Sequence, residues 1–208
     1  MMKRFSKKSV LPFVGVLSVC AFALPGVASA ASWFVDPGGA FPATTVLDSS
    51  NAANRLSFTT AAGAGSTCAV ATFDVDIRSS SDAIVTSAGF LNCMGTGLSV
   101  NCTLTAAPTA ASLPWTITNT TTTNITIHNV DLTLHFENTP GNATACATPI
   151  TSRVTGNLEN GSWSNAGREV TYTNAPGLVA HGIPGAPNSA ATVTGTLAST
   201  NLNVTMRD

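Results

Sequence analysis

The pattern that most constrains the fold lies in residues 66–93, where two runs of alternating side chains flank a short polar turn. In the first run one set of alternate positions is apolar throughout, namely Ala69, Ala71, Phe73, Val75 and Ile77. Residues 79–82 supply the turn, and residues 83–90 form the returning strand. Alternation with a period of two is typical of strands that place one face on a core. The segment therefore predicts a β-hairpin with the apolar set on its core face.

A cysteine lies near each end of this hairpin. With the turn centred between Ser80 and Ser81, Cys68 and Cys93 are directly opposed. Directly opposed residues in a non-hydrogen-bonded antiparallel pair bring their Cβ atoms close enough for a disulfide. A bulge around Gly89 would shift this register by one residue. The spacing predicts a Cys68–Cys93 disulfide.

Residues 1–30 are predicted to be a signal peptide. They combine a basic start, an apolar stretch over residues 10–24 and an A-x-A sequence that suits cleavage near Ala30. The apolar stretch is shorter than the about 20 residues that a transmembrane helix needs. A lipoprotein box ending at Cys20 is the alternative, although the bulky Val19 fits such a box poorly. We expect a secreted, extracellular bacterial protein.

Four cysteines remain after cleavage, an even number that predicts two disulfides in an exported chain. With Cys68 joined to Cys93, the second bond would link Cys102 to Cys146. The chain has no C-x-x-C pair, so zinc binding and thioredoxin-like redox chemistry are not indicated.

The mature chain carries few charges. Residues 31–208 contain five arginines, no lysine and ten carboxylates, which gives a formal net charge of −5. Nucleic acids and anionic membranes attract clustered basic residues, so neither is expected as a partner. No stretch of these residues reaches the length of a transmembrane helix. A lysine-free surface also has few charges to keep sheet edges from pairing with other chains, which favours self-association.

Further strands are predicted by short alternating runs between Gly, Pro and Asn turns. They lie within residues 31–36, 56–60, 97–105, 115–118, 124–136, 143–158, 169–173 and 190–206. Residues 41–54 are expected to be irregular. In residues 124–136 the apolar positions change from odd to even numbers at His128 and Asn129, which predicts a bulge there.

These elements predict an all-β fold, either a single β-sandwich or a Greek-key barrel, of about ten short antiparallel strands with two disulfides. We expect residues 31–65 to be an N-terminal extension with an edge strand. Residues 66–208 are expected to form the β-sandwich domain.

The histidines give no catalytic signature. His128 could be oriented by Asp131 as a catalytic imidazole, but no serine lies in a nucleophile elbow that could use it. His135 is an odd number of residues from His128, so the two face opposite ways on an unbroken strand. His181 lies in a glycine-rich stretch. We interpret all three as surface or rim residues.

Asp74 and Asp76 share the polar face of the predicted hairpin. Paired carboxylates can run glycosidic chemistry or bind Ca²⁺. Two neighbours on one strand are more often a solvated charged face, and no D-x-D-x-D-G loop occurs in the sequence. We therefore predict that the protein is not an enzyme and that it has no catalytic residue, cofactor or metal site.

The aromatic side chains offer one candidate for ligand binding. Trp115 alternates with Ile117, which indicates a core position. Trp163 lies between two serines, so together with Tyr172 it is predicted as a possible ligand surface. Trp33 could belong to the same aromatic platform or to the core.

Thr-x-Thr sequences recur along the chain, at residues 103–105, 116–118, 171–173 and 192–196. A flat ladder of such pairs is the chemistry of ice-binding surfaces. Threonine is also the ordinary solvent-facing residue of a strand. Because the spacing between the pairs is irregular, we interpret them as ordinary exposed strand positions.

Three segments carry a family resemblance: CAVATFDVDI from Cys68, LPWTIT from Leu113, and GSWSNAGREVTYTN from Gly161. Together with the returning strand that ends at Cys93, they resemble the secreted bacterial alkane oxidation protein activators, the PraB-like group. The likeness covers about residues 66–203. It implies an exported, non-enzymatic protein linked to growth on insoluble hydrocarbon and to surface or biofilm material.

Two functional hypotheses follow. The first is a structural or adhesive protein of the cell surface or extracellular matrix, able to self-associate through sheet edges. The second is a β-sandwich module that binds a carbohydrate or another ligand through its aromatic surface.

The first testable prediction concerns the hairpin disulfide. Replacing Cys68 and Cys93 together by serine is expected to lower the free energy of unfolding by about 2–4 kcal/mol, because the bond restricts the unfolded chain. Denaturant unfolding of the oxidised mature chain measures the change, with Ser87→Ala on the returning strand as the control. A peptide map that joins Cys68 to Cys102 would refute the pairing.

Overall fold

The computed structural model describes residues 31–36, 39–49, 55–96, 102–104, 108–138, 150–182, 188–200 and 203–207. The strands are β1 Ser32–Asp36, β2 Ala43–Asp48, β3 Leu56–Thr60, β4 Gly65–Ile77, β5 Ala83–Thr96, β6 Cys102–Leu104, β7 Thr109–Ala110, β8 Trp115–Thr121, β9 Asn124–Asn138, β10 Ile150–Ser164, β11 Glu169–His181, β12 Ser189–Ser199 and β13 Asn203–Arg207. None of the described residues is helical. In this part of the chain, therefore, no helix is long and apolar enough to cross a membrane.

The large sheet closes on itself. Its pairings follow the chain from β4 to β5, β8, β9, β10, β11 and β12, and β12 returns to β4 through β2 and β3, which pair with both. Every pairing is antiparallel. The predicted single all-β fold of antiparallel strands is confirmed. Consecutive strands from β8 to β12 are also neighbours in this sheet.

Two positions in this ring are occupied by broken strands. Strands β6, β7 and β8 pair one after another with the same edge of β9, through pairs such as Cys102–Asn138, Thr109–Thr133 and Thr116–His128. Each break between β6, β7 and β8 inserts two residues relative to β9, so these three short strands together make one side of the ring. In the same way β2 and β3 share the position between β12 and β4.

Strands β2 and β3 of the N-terminal segment are part of the ring. The prediction that residues 41–54 are irregular is wrong over β2, because Thr45 and Leu47 point inward at alternate positions and are buried. Because β2 and β3 pair with both β12 and β4, they belong to the same sheet as the strands that follow residue 65.

The hairpin β4–β5 has the predicted disulfide. Cys68 and Cys93 are directly opposed in the register, and their sulfurs lie 2.06 Å apart. The turn closes with the pair Ile77–Ala83 and is centred on Ser80, so the register there differs by one residue from the prediction, and a bulge at Thr86 restores the predicted register beyond it. Cys68 is itself buried, because the inward face changes phase on the N-terminal side of Ala71.

The second predicted disulfide lies outside the described residues. Cys146 is not among them, and nothing is described of the side chain of Cys102. The Cys102–Cys146 pairing therefore stays a prediction.

The predicted bulge in β9 is confirmed. The pairing of β9 with β10 shifts register between Gly156 and Leu158, opposite Asn129. Asn129 has φ of 60°, in the left-handed region that asparagine tolerates better than most residues. The extra residue lets Ile127 and Val130 both point into the core.

The interior of the ring is apolar. Phe73 is buried there and packs edge-on against Phe90 and Trp115, with ring centroids 6.0 Å and 6.1 Å apart. The largest side chains that are fully buried are Trp115, Tyr172, Phe136, Ile77, Ile127, Leu134, Leu197 and Met206. All three tryptophans are buried, as the alternation of Trp115 with Ile117 predicted for that residue.

A two-stranded ribbon of β1 and β13 caps one end of the ring. Its register places Trp33 beside Met206, and both side chains are buried. Trp33 packs edge-on against Trp163 at 5.7 Å between ring centroids. The backbone N–H of Trp33 donates to the Ser80 carbonyl at 2.6 Å, and the Asn119 amide donates to the Ala31 carbonyl. We call β1 and β13 the terminal cap.

The cap yields the second prediction. Trp33→Ala is expected to lower the free energy of unfolding by about 3–5 kcal/mol, because it leaves a cavity between the cap and the ring. Phe34→Ala is the matched control, since Phe34 lies on the opposite face of β1, half-buried beneath the Arg207 guanidinium at 4.9 Å. Chemical denaturation measures both; equal losses for the two variants would contradict this account of the cap.

Candidate functional site

The predicted aromatic ligand surface is wrong. Trp163 and Tyr172 are 4% and 0% exposed, because both point into the ring from positions whose neighbours face solvent. The Trp163 indole N–H donates to Asn165 Oδ1 at 2.8 Å. The Tyr172 hydroxyl has no hydrogen-bond partner among the described residues, and its burial raises the pKa of the phenol. Neither side chain can meet a ligand at the surface.

The histidines are spread over the outer face and are not brought together. His128 lies 2.7 Å from the Thr118 hydroxyl, and Asp131 contacts other groups, so the suggested His128–Asp131 pair does not form. His135 contacts the Thr151 hydroxyl at 3.0 Å. His181 lies on β11 and contacts a threonine on β10 and an asparagine near the start of β12.

The hairpin carboxylates lie toward solvent, and one of them joins an exposed ion cluster. Asp74 is exposed, and Asp76 lies 3.7 Å from the Arg78 guanidinium, which is half exposed. The same guanidinium reaches Asp82 at 4.0 Å. Exposed ion pairs of this kind contribute little to stability. Within the described residues, no group of three or more His, Cys, Asp or Glu is placed to hold a metal ion.

One carboxylate stands apart because it is buried. Asp131 points outward from β9, yet its side chain is only 5% exposed. Arg153 on the neighbouring strand β10 donates to both of its oxygens, from Nε at 2.7 Å and from Nη2 at 2.5 Å. The Ser112 hydroxyl, from the segment between β7 and β8, donates to Oδ2 at 2.9 Å. Bidentate contacts between arginine and carboxylate are among the stronger hydrogen-bonded pairs in proteins.

These contacts control the charge on Asp131. The hydrogen bonds from Arg153, with those from Ser112 and the positive charge of the guanidinium, hold the pKa of Asp131 below its ordinary value, while burial acts in the opposite direction. Asp131 is therefore an anion at neutral pH and forms a neutral pair with Arg153. The Arg153 side chain remains 59% exposed, so its other face is turned to solvent.

The pair lies in an open polar cleft of about 260 Å³ on the outer surface, which we call the Arg153 cleft. Its lining residues are Ser112, Asn129, Val130, Asp131, Arg153, Thr155, Gly156 and Asn157.

The bulge in β9 shapes this cleft. The backbone N–H of Asn129 donates to Asn157 Oδ1 at 3.2 Å, which ties the bulge to β10. Gly156 has φ of 133°, and a Cβ there would lie 2.2 Å from the Gly177 carbonyl oxygen, so no other residue fits without a backbone shift. Unusual backbone at Asn129 and Gly156 thus shapes the cleft floor.

A second cavity lies inside the ring, toward the end opposite the cap. Its volume is about 40 Å³, and its walls are apolar side chains such as Phe58, Phe90, Leu134 and Leu178. An engineered cavity that admits benzene measures about 150 Å³. The interior cavity is therefore a packing void, too small for an organic ligand.

The outer face of four neighbouring strands carries hydroxyl groups. Thr171 lies opposite Thr196 with their hydroxyls 3.0 Å apart, and Ser57 contacts the Thr67 hydroxyl at 3.0 Å. Strands β3 and β12 pair with each other between these two contacts, with Thr192 opposite Thr59 and Thr194 opposite Ser57, so the hydroxyl groups continue from one strand to the next. We call it the hydroxyl face; its members are Ser57, Thr59, Thr67, Thr171, Thr192, Thr194 and Thr196. None of the seven is charged.

The sequence identified Asp131 but not its partner. Arg153 is 22 residues away and reaches Asp131 only because β9 and β10 pair. The available signal for this partner was the scarcity of basic residues, since residues 31–208 contain only five arginines.

The fold therefore defines an all-β protein whose strands close into one antiparallel ring. No family model matches the chain, and no curated protein or solved structure matches it.

The third prediction concerns Asp131. Its folded-state pKa is lowered, so its contribution to stability is present above the unfolded-state pKa of about 3.9 and is lost as the pH falls through the lower folded-state value. Asp131→Asn is expected to lower the free energy of unfolding by about 1–3 kcal/mol at neutral pH. The difference from wild type should shrink on acidification below about pH 4.

Urea unfolding at a series of pH values measures this difference. The matched control is Asp74→Asn, in which no carboxylate–guanidinium pair is broken. A wild-type advantage over Asp131→Asn that stays constant from neutral to strongly acidic pH would contradict the role of the ion pair.

Proposed function

We propose that this chain is an exported, non-enzymatic protein of the cell surface or extracellular matrix, with a structural or adhesive role. The observation that carries the proposal is the hydroxyl face, a patch of seven neutral Ser and Thr side chains on the outer side of β4, β3, β12 and β11. A neutral face of this kind lacks the like-charge repulsion that keeps protein surfaces apart. It can therefore approach a second neutral surface closely.

Two further features support the location. The Cys68–Cys93 disulfide is the kind of bond that persists in oxidising, extracellular compartments. Residues 1–30 carry the features of a signal peptide that is cleaved near Ala30.

Self-association by donation of β1 is not supported. Strand β1 pairs with β13, and Trp33 is buried against the ring, so its release would break the terminal cap. Strand β5 pairs with β8 over Ala83–Val85, and β6 and β7 lie beside the rest of it, so its edge offers no clearer place for an added strand. We propose that copies associate through the hydroxyl face.

The link to hydrocarbon use or biofilm material rests on the family resemblance. One structural feature favours contact with an apolar phase: Leu91 and Met94 on β5 are 61% and 59% exposed. A second candidate function, binding of a carbohydrate or other ligand, is favoured by the Arg153 cleft.

The fourth prediction tests association through the hydroxyl face. The oxidised mature chain at tens of micromolar is expected to give large species in sizing chromatography and regular assemblies in negative-stain microscopy. Thr192→Lys, Thr194→Lys and Thr196→Lys combined should shift it to monomers, because lysines on a sheet repel a second copy.

The matched control places three lysines on the exposed positions of β8, at Thr116, Thr118 and Thr120. This variant should still assemble. A wild-type chain that stays monomeric and binds neither cells nor hexadecane droplets would contradict the structural and adhesive proposal.

A further inference from the structure

We propose that the Arg153 cleft binds one ring of a neutral saccharide. This inference deepens the adhesive role and rests on it only for the location of the ligand outside the cell. The cleft itself is argued from its size, its charge and its hydrogen-bonding groups.

The size of the cleft fits a small ligand. Its volume is about 260 Å³. Sites that enclose drug-sized molecules measure about 300–1,000 Å³. The cleft is thus large enough for a single sugar ring and too small to enclose a chain, so a polysaccharide would present one residue to it.

The charge of the cleft favours a neutral ligand. Arg153 is its cation and Asp131 its anion, and the two are hydrogen-bonded to each other. The buried Asp131 carboxylate neutralises most of the guanidinium charge, so an anionic sugar gains little net attraction over a neutral one. The other polar groups in the lining are hydroxyls and amides.

The polar groups of the cleft match sugar hydroxyls, which both donate and accept hydrogen bonds. Asn157 Oδ1 accepts from the Asn129 backbone, which holds the amide plane and leaves its Nδ2 group as a donor. Arg153 uses Nε and Nη2 for Asp131, so its Nη1 group is left to donate to a ligand. Donors fixed in this way lose little freedom when a ligand binds.

The cleft wall adds a hydroxyl group. Thr155 lies on β10 two residues beyond Arg153, and its Oγ1 is 3.1 Å from His181 Nε2. His181 in turn contacts Asn188 through its other ring nitrogen at 3.0 Å. The polar surface therefore continues from the cleft toward β11, where the next residue of a polysaccharide can lie.

The test is a ¹H–¹⁵N NMR titration of the oxidised mature chain with glucose, galactose, mannose and N-acetylglucosamine. At least one sugar is expected to cause saturable shifts of the Ser112, Asn129 and Asn157 backbone amides, with a dissociation constant on the order of 1 mM. Glucuronate should bind no more tightly than glucose.

Two variants locate the site. Asn157→Ala is expected to weaken binding at least tenfold, since it removes a fixed donor. Thr155→Val keeps the shape of the side chain and removes its hydroxyl, so it should weaken binding even if Asn157→Ala disturbs the bulge. The matched control is Asn174→Ala, an exposed asparagine on β11 that hydrogen-bonds with Thr194 and does not line the cleft.

Three outcomes would overturn the proposal: no saturable shift with any of the four sugars, tighter binding of glucuronate than of every neutral sugar, or equal weakening by Asn174→Ala and Asn157→Ala. Soluble sugars test the cleft independently of assembly. A chain that binds a sugar but neither assembles nor attaches to cells would keep this inference and remove the adhesive role.

Discussion

The structure depends on the backbone pairing that joins its last long strand to its first. Strand β12 reaches β4 only through β2 and β3, and without them the sheet would have two open edges. Open edges expose rows of unpaired backbone groups. Closure removes them and encloses the apolar side chains on the inside of the ring. The contacts that hold β2 and β3 in place therefore stabilise the whole core, and not only the N-terminal segment.

Local patterns predicted much of this fold. Alternation identified the β4–β5 hairpin, and a change in the apolar phase located the bulge at Asn129. The Cys68–Cys93 pair was predicted correctly although two details of the hairpin differ. Its turn is centred on Ser80, and a bulge at Thr86 compensates for that shift.

The predictions that failed depended on long-range neighbours. Trp163 lies between serines, which look exposed in the sequence, yet its burial is decided by Trp33, which arrives from the other end of the chain. Strand β2 was missed because its partners, β4 and β12, lie far from it in sequence. The Arg153 cleft was not predicted for the same reason, since β9 and β10 must pair before Asp131 and Arg153 can meet.

The terminal cap has a consequence for the order in which the chain can fold. Strand β1 is the first described strand to be synthesised and β13 the last, and they are paired along their whole length. A ring that has closed through β12 before β13 pairs with β1 would therefore have this end uncovered. Ile77, Trp163 and Val170 would remain in contact with water until the last few residues arrive. A chain that ends before residue 203 lacks β13 and its buried Val204 and Met206, so the apolar side chains at that end of the ring would lose part of their cover.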